Sequence, residues 1–165
     1  SVSVVPDGVW PDRVPRLGVR IELGGSSWEA SWLGDTLIGY SDMRVPGARG
    51  YGRAEASDLW DVCVRPQESG QRLDLVALSL RGEAGELLIL PASPLGWSVS
   101  PWSERELAQA AHWEDLPDSE RLFLWLDAFQ DGIGTRSCGP DSRPEFAGTM
   151  RRADMTFVIA QVGGD

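Results

Sequence analysis

Four carboxylates crowd the region near the C-terminal end. Asp127, Asp131, Asp141 and Glu145 surround the glycine-rich segment DGIGTRSCGP (Asp131–Pro140). Two acids at a fixed separation can do general acid–base work, one giving a proton and the other taking it. Acids beside glycines are also ordinary turn formers, and nothing in this spacing fixes a separation. The same segment carries a thiol, Cys138. A cysteine nucleophile needs a base in hydrogen-bond contact; the chain has one histidine, His112, and it falls at a helix end. The segment therefore reads better as a binding loop than as a catalytic one. Its glycines permit positive φ and close backbone approach. Arg136 and Ser137 offer hydrogen-bond donors, with Cys138 and Gly139 beside them. A plain hairpin turn is the alternative.

A second constellation is VRPQESGQR (Val64–Arg72). It places Arg65, Pro66, Gln67, Glu68, Gly70 and Arg72 around a turn. Pro66 fixes one φ, Ser69-Gly70 supplies the turn, and Arg65, Glu68 and Arg72 are spaced to pair across it. An exposed pair of this kind contributes about 0–1 kcal/mol. The stretch reads as a structural corner between strands, with a reactive loop as the alternative. Aromatics form the third candidate. The chain has eight Trp against two Tyr and four Phe, and Trp97, Trp102 and Trp113 flank one helical segment. Indole faces can stack on a flat ligand, but packing of helix on sheet is the stronger reading.

These groups need strands to position them. In RLGVRIEL, Leu17, Val19, Ile21 and Leu23 share one face, opposite Arg16, Gly18, Arg20 and Glu22. In RLFLWLDAF, Leu122, Leu124, Leu126 and Ala128 oppose Phe123, Trp125, Asp127 and Phe129. DMTFVIAQV near the end alternates in the same way. ELLIL (Glu86–Leu90) is a continuous apolar run, as a fully buried strand requires. RLDLVALSL changes phase, and a β-bulge near Val76 would repair it. One helix is expected: Ser103 as N-cap and Glu106 at N3 form a capping box, Trp102 and Leu107 form a staple, and His112 lies at the end. With 19 glycines and 11 prolines punctuating the chain, the pattern is an all-β sandwich with one short helix. Asp35–Ser57 is the least regular stretch and reads as a surface excursion.

Composition narrows the function classes. The 165 residues suit a single domain. At 42% hydrophobic and 24% charged, the chain is globular rather than disordered. A net charge of −10 argues against nucleic acid and anionic membranes, both of which select basic faces. No apolar run reaches membrane-span length. No signal peptide is visible, and Cys63 and Cys138 read as reduced thiols, so a cytoplasmic setting is expected. No cofactor or metal is expected, since CxxC and HxxxH spacings are absent. With Ser1 in place of Met, the natural start is expected to be missing.

A series of segments, in the same order along the chain, resembles the C-terminal domain of bacterial β-galactosidases of glycoside hydrolase family 2. VRPQESGQR is similar to that family's VRPQENGNR turn. WSVSPWSERELAQAAH (Trp97–His112) resembles FSASPYSDEELEAAKH. LWLDAFQDGIGTRSCGP (Leu124–Pro140) resembles LNLDxxxxGxGxxSCGP. RPEF (Arg143–Phe146) stands where the family has Pro, an acid and an aromatic. PRLGVRIEL and SWLGD (Ser31–Asp35) resemble the PRIGL strand and the WxG that leads into a loop. After WxG, DTLIGYSD (Asp35–Asp42) departs from R-G-P-x-E-N-Y, lacking both the Gly-Pro pair and the acid.

The resemblance implies a large β-supersandwich, of the galactose-mutarotase-like type, placed last in a multidomain hydrolase. Residues 1–165 would form its C-terminal part, with the N-terminal strands of the family domain absent. Glycoside hydrolysis uses two carboxyl groups, which in the family sit on a β/α barrel of about 250 residues; no barrel fits here, so no catalytic residue is expected in this chain. The loop holding Arg136, Ser137, Cys138 and Gly139 would reach toward the barrel mouth and help line the sugar pocket. Where some members place a stacking Trp, this chain has Cys138 or Gly139. Partners would be the catalytic barrel and a β-galactoside or other sugar. A freestanding carbohydrate-binding module is an alternative. So is a structural domain that self-associates through an exposed strand edge.

Overall fold

In chain order the residues form β1 (Val2–Val4), β2 (Arg16–Gly24), β3 (Trp28–Asp35), β4 (Arg49–Glu55), β5 (Arg72–Leu75) and β6 (Ala77–Gly82). Then come β7 (Gly85–Pro91), β8 (Leu95–Ser100), the helix α1 (Glu104–Gln109), β9 (Arg121–Gln130), β10 (Ala153–Met155) and β11 (Phe157–Val162). This is a computed structural model, and it describes residues 1–61, 63–83, 85–134 and 138–163. All pairing among these strands is antiparallel. One sheet runs β2-β9-β8-β5 and the other β11-β7-β6-β3-β4, while β1 and β10 form a separate two-stranded ribbon.

The two larger sheets face each other across one apolar core, as alternation requires. Trp28, Ala30, Trp32, Leu78, Leu80 and Ile89 come from the five-stranded sheet. Leu95, Trp97, Val99, Leu122, Leu124 and Leu126 come from the other. Trp32 and Trp97 meet edge to face across the layers at 5.3 Å, the geometry that ring quadrupoles favour. The expected β-sandwich with one short helix is therefore the fold. In β2, Val19, Ile21 and Leu23 pack toward the core, while Gly18, Arg20 and Glu22 stay exposed. In β9 both faces are covered: Phe123, Trp125 and Asp127, opposite the core leucines, are also buried. Arg20 and Arg121 lie over the Phe123 ring, and the Glu104 carboxylate of α1 accepts from Trp125 Nε1 at 2.5 Å.

Several local expectations change. The segment DMTFVIAQV is two strands, not one: β10 pairs with β1 and β11 with β7, with the break at Thr156. ELLIL is not buried on both faces. Leu90 stands 42% exposed, because β7 has only one sheet face against the core. The phase change in RLDLVALSL marks a change of sheet. Leu75 pairs with Leu95 in one sheet and Ala77 with Leu33 in the other. The register irregularity lies between Arg72 and Leu75, where Asp74 has φ +54°. The supposed surface excursion holds the edge strand β4. Its sequence, RGYGRAE, lacks the β-branched residues by which strands are read.

Helix α1 begins as expected. Ser103 Oγ accepts from Glu106 N at 3.3 Å, and Ser103 N donates to the Glu106 carboxylate at 2.8 Å. It ends earlier than expected, at Gln109, with Ala110 N bonded to Glu106 O. His112 belongs to the next turn, where Asp115 Oδ2 accepts from the backbone N–H groups of Ala111 and His112. A helix of under two turns depends on its cap. Ser103→Ala should lower unfolding free energy by about 1 kcal/mol in urea titration, and an unchanged midpoint would show that tertiary packing alone holds α1.

Candidate functional site

Arg16 and Asp127 form a buried two-point ion pair. Arg16 Nε lies 2.8 Å from Asp127 Oδ1, and Nη2 lies 2.7 Å from Oδ2. The same Nη2 donates to Gln71 Oε1 at 3.1 Å and Ser98 Oγ at 2.9 Å. Gln71, Ser98 and Asp127 are at most 2% exposed. Room for this cluster comes from two glycines. Gly18 on β2 and Gly96 on β8 both lie directly opposite Asp127. A Cβ on Gly18 would fall 2.3 Å from Asp127 Oδ1, and one on Gly96 would fall 2.3 Å from Gln71 Nε2. Register also shifts between Leu17 and Gly18, leaving Ala128 unpaired. That bulge bends the strand end where Arg16 leaves it.

The VRPQESGQR stretch wraps over this cluster. The expected pairing of Arg65, Glu68 and Arg72 does not form. Arg65 is exposed. Arg72 is buried and donates instead to the carbonyls of Leu59 and Gly70, at 2.9 and 2.8 Å. Its guanidinium lies 5.3 Å from the Trp32 ring centre and 5.8 Å from that of Trp97. Burial lowers its affinity for a proton, with Asp61 opposing. Gly70 sits at φ +81°, and a Cβ there would lie 2.2 Å from Leu59 O, so the turn expected at Ser69-Gly70 requires its glycine. Ser69 Oγ closes the loop on Asp61, accepting from its N at 2.9 Å and donating to its O at 3.0 Å. Pro66 is buried and Gln67 exposed. Glu68 accepts from Gln130 Nε2 at 2.9 Å and reaches Arg16 only at 3.9 Å.

The glycine-rich loop is held at its neck. Arg13 bridges Asp131, at 2.6 Å, and Asp141, and donates to Ser142 Oγ at 2.8 Å. Asp131 N bonds Pro15 O, and its Oδ1 accepts from Gly148 N. Further along, the Asp42 carboxylate accepts from Ile133 N at 3.0 Å and Gly134 N at 2.7 Å. Thus DTLIGYSD, which departs from the resembling motif, supplies the acid that positions the loop. Cys138 and Gly139 are exposed beyond this anchor; Arg136 and Ser137 lie outside the described residues. Arg13, Asp42 and Tyr40 were not among the residues singled out in the sequence. Arg13 and Asp42 stand about 90 or more positions from the loop they hold, so no local spacing marks them.

The acids first considered for proton transfer have other work. Asp127 binds Arg16, and Asp131 and Asp141 bind Arg13. Glu145 lies 3.8 Å from Arg143. Cys63 and Cys138 are free thiols. Trp97 is a core residue. Trp102 and Trp113 lie 5.0 and 5.4 Å from Trp60, so these indoles pack on one another.

Between the wrapping stretch and the loop lies a cleft of about 560 Å³, lined in part by Ile38, Tyr40, Met43, Glu68, Gln130 and Ile133. Burial pushes the Glu68 carboxyl above its ordinary value, with Arg16 and Gln130 pulling it back. Burial, then the Glu68 charge, push the Tyr40 hydroxyl up as well. Among the described residues no helix is long and apolar enough to cross a membrane.

Comparison with known proteins gives consistent matches. The family described as beta galactosidase small chain matches residues 1–159. The beta-galactosidase of Arthrobacter sp. (strain B7) is 33% identical over 165 residues, covering 96% of this chain and 16% of that protein. That of Kluyveromyces lactis is 31% identical over 134 residues, covering 79% and 13%. That of Staphylococcus xylosus is 21% identical over 145 residues, covering 87% and 15%. The chain thus spans about one-sixth or less of these relatives.

Two outcomes follow from the geometry. Arg16→Met strands a buried carboxylate and should cost about 3–5 kcal/mol, while adding Asp127→Leu should restore much of it. A double variant no more stable than the single one would refute the coupling. For Glu68 the sign runs the other way from a typical acid. Its folded pKa is raised, so the folded state holds its proton more tightly, and that contribution fades as pH rises above about 4.5. Glu68→Gln should therefore gain stability relative to the parent chain as pH rises from there, measured by urea titration across pH. A constant difference would remove Glu68 as the titrating group.

Proposed function

The chain belongs to the beta galactosidase small-chain family, and from that premise we propose that it is the C-terminal sandwich domain of a glycoside hydrolase family 2 β-galactosidase. It supports the active site of the parent by presenting the Asp131–Asp141 loop to the sugar, and it has no catalytic carboxylate pair of its own. One observation carries this reading: two separate segments each spend a charged side chain on fixing that loop. Arg13 ties its neck and Asp42 binds two of its backbone amides. A turn that only joins strands needs no such anchoring, whereas a loop that must meet a ligand gains from being pre-set. Relatives of six or more times this length leave room for a catalytic barrel as the partner. Two free thiols suit a reducing, cytoplasmic setting.

A second role, in assembly, has its own support. On the outer face of the five-stranded sheet, Val158 opposes Leu90 and Leu33 opposes Tyr51. These four are 42–68% exposed and lie in one band of the sheet, a surface suited to a neighbouring domain or a second copy.

The test has two arms. The isolated chain should show no turnover of an aryl β-galactoside. In the full-length parent, Asp42→Ala should raise KM about tenfold, the order expected when a positioned binding loop is released, with the thermal midpoint nearly unchanged. Turnover by the isolated chain, or an unchanged KM in the parent variant, would overturn the reading.

A further inference from the structure

The cleft beside the loop contains hydrogen-bonding capacity that the chain does not use. Glu68 Oε1 and Gln130 Oε1 are both buried and without a hydrogen-bond partner, and both residues line the cleft. The two side chains are locked together, since Gln130 Nε2 donates to Glu68 Oε2 at 2.9 Å. What remains open on each is an acceptor. Buried acceptors of this kind are costly when left unmade, so the cleft is shaped for a donor.

Charge decides which donor. One guanidinium, Arg16, stands between two carboxylates. Its Nε and Nη2 both bind Asp127, at 2.8 and 2.7 Å, and Glu68 is left at 3.9 Å. Of the two other acids lining the cleft, Asp61 and Asp131, the latter is taken up by Arg13 at 2.6 Å. Glu68 therefore only shares the Arg16 charge, at the limit of ion-pair distance and beyond hydrogen-bond reach. A neutral hydroxyl would fill the acceptors but leave that half-buried charge only distantly paired, which is the more expensive part. The walls add a second requirement. Ile38, Met43 and Ile133 are apolar, and Met43 and Ile133 are half exposed, at 54% and 50%. An aliphatic stem would cover them while its head reaches the acceptors, as long cationic side chains do on apolar surfaces. At about 560 Å³ the space far exceeds the ~30 Å³ share of one water.

We propose that this cleft receives a cationic nitrogen donor on an aliphatic stem, a group of the arginine or lysine side-chain type, with its head on Glu68 Oε1 and Gln130 Oε1. Cys138 and Gly139 are not among the residues lining the cleft, and the proposal stands whether or not the loop serves a sugar pocket. Two sources share this chemistry: a side chain from another protein segment, and a free small cation.

The test is a titration of the isotope-labelled 165-residue chain, followed by amide NMR. The probes are n-butylguanidinium, a blocked Gly-Arg-Gly peptide and galactose. Butylguanidinium should move the Gln130 side-chain amide and the Ile133 backbone amide in a saturable way. Glu68→Gln should weaken it about tenfold or more, as loss of a charged hydrogen bond does, with the remaining spectrum unchanged. Peptide binding of similar strength would assign the site to a protein side chain; binding of butylguanidinium alone would assign it to a free cation. Absence of saturable shifts with either cation in the unmutated chain would overturn the proposal, and this arm stands even if Glu68→Gln does not fold. Galactose moving the same resonances, with affinity unaffected by Glu68→Gln, would also overturn it.

Discussion

The Arg16–Asp127 pair is the constraint around which the rest of this half of the molecule is arranged. A carboxylate with no exposed side-chain surface survives in a sheet only if a cation and further donors meet it there. The chain provides these by emptying both neighbouring strands. Glycine at 18 and at 96 removes side chains opposite Asp127, and Arg16, Gln71 and Ser98 occupy the space. Gln71 belongs to the wrapping stretch, so the pair also fixes where that stretch lies on the sheet. Such a cluster adds less to net stability than apolar packing of the same volume would. Its effect is on register: slipping β2 or β8 by one residue would drive a side chain into the carboxylate.

From this anchor the order of assembly runs outward. Arg72, next to Gln71, is turned into the sandwich between Trp32 and Trp97 and bonds two carbonyls of the preceding loop. That draws Leu59 and Gly70 onto the sheet, and Glu68 with them. Glu68 meets Gln130, the last residue of β9, and the glycine-rich loop begins at the next position. The core, the wrapping stretch and the loop neck are therefore one mechanical unit. The loop is held by charges on two other segments, Arg13 before β2 and Asp42 after β3. Most of the strong ion pairs near it serve geometry rather than chemistry, although the chain as a whole carries ten surplus negative charges.

Much of the fold was legible because strands and helix caps write themselves locally. Alternation gave β2 and β9, and the Ser103–Glu106 spacing gave the start of α1. Failures came where tertiary context overrides local pattern. β4 is built from RGYGRAE, whose glycines make room for Trp32: a Cβ on Gly52 would meet that indole at 2.2 Å. Thr156 breaks an alternating run because its two halves serve different sheets. The site was legible in part. Glu68, Gly70 and Arg72 stood out by motif, but most of their partners did not, since Arg16, Gln130 and Leu59 are distant in sequence or silent as a pattern. Asp42 looked like a loss, within a stretch that departs from its resembling motif, and it is the residue that holds the loop.

The charge arrangement around Arg16 has a consequence for the loop. A single guanidinium cannot saturate two carboxylates; geometry gives it to Asp127, because the glycines let that approach be bidentate. Glu68 is then left as the adjustable member: raised in pKa by burial, bonded to one amide, and facing a cleft bordered by the loop. Filling that cleft would bear on Ile133, whose N–H is already held by Asp42, and so on the loop that follows. The same residue that completes the packing of the wrapping stretch is thereby placed to link occupancy of the cleft with the setting of the loop. Asp127 has no such freedom, which is why the sheet can remain fixed while its rim adapts.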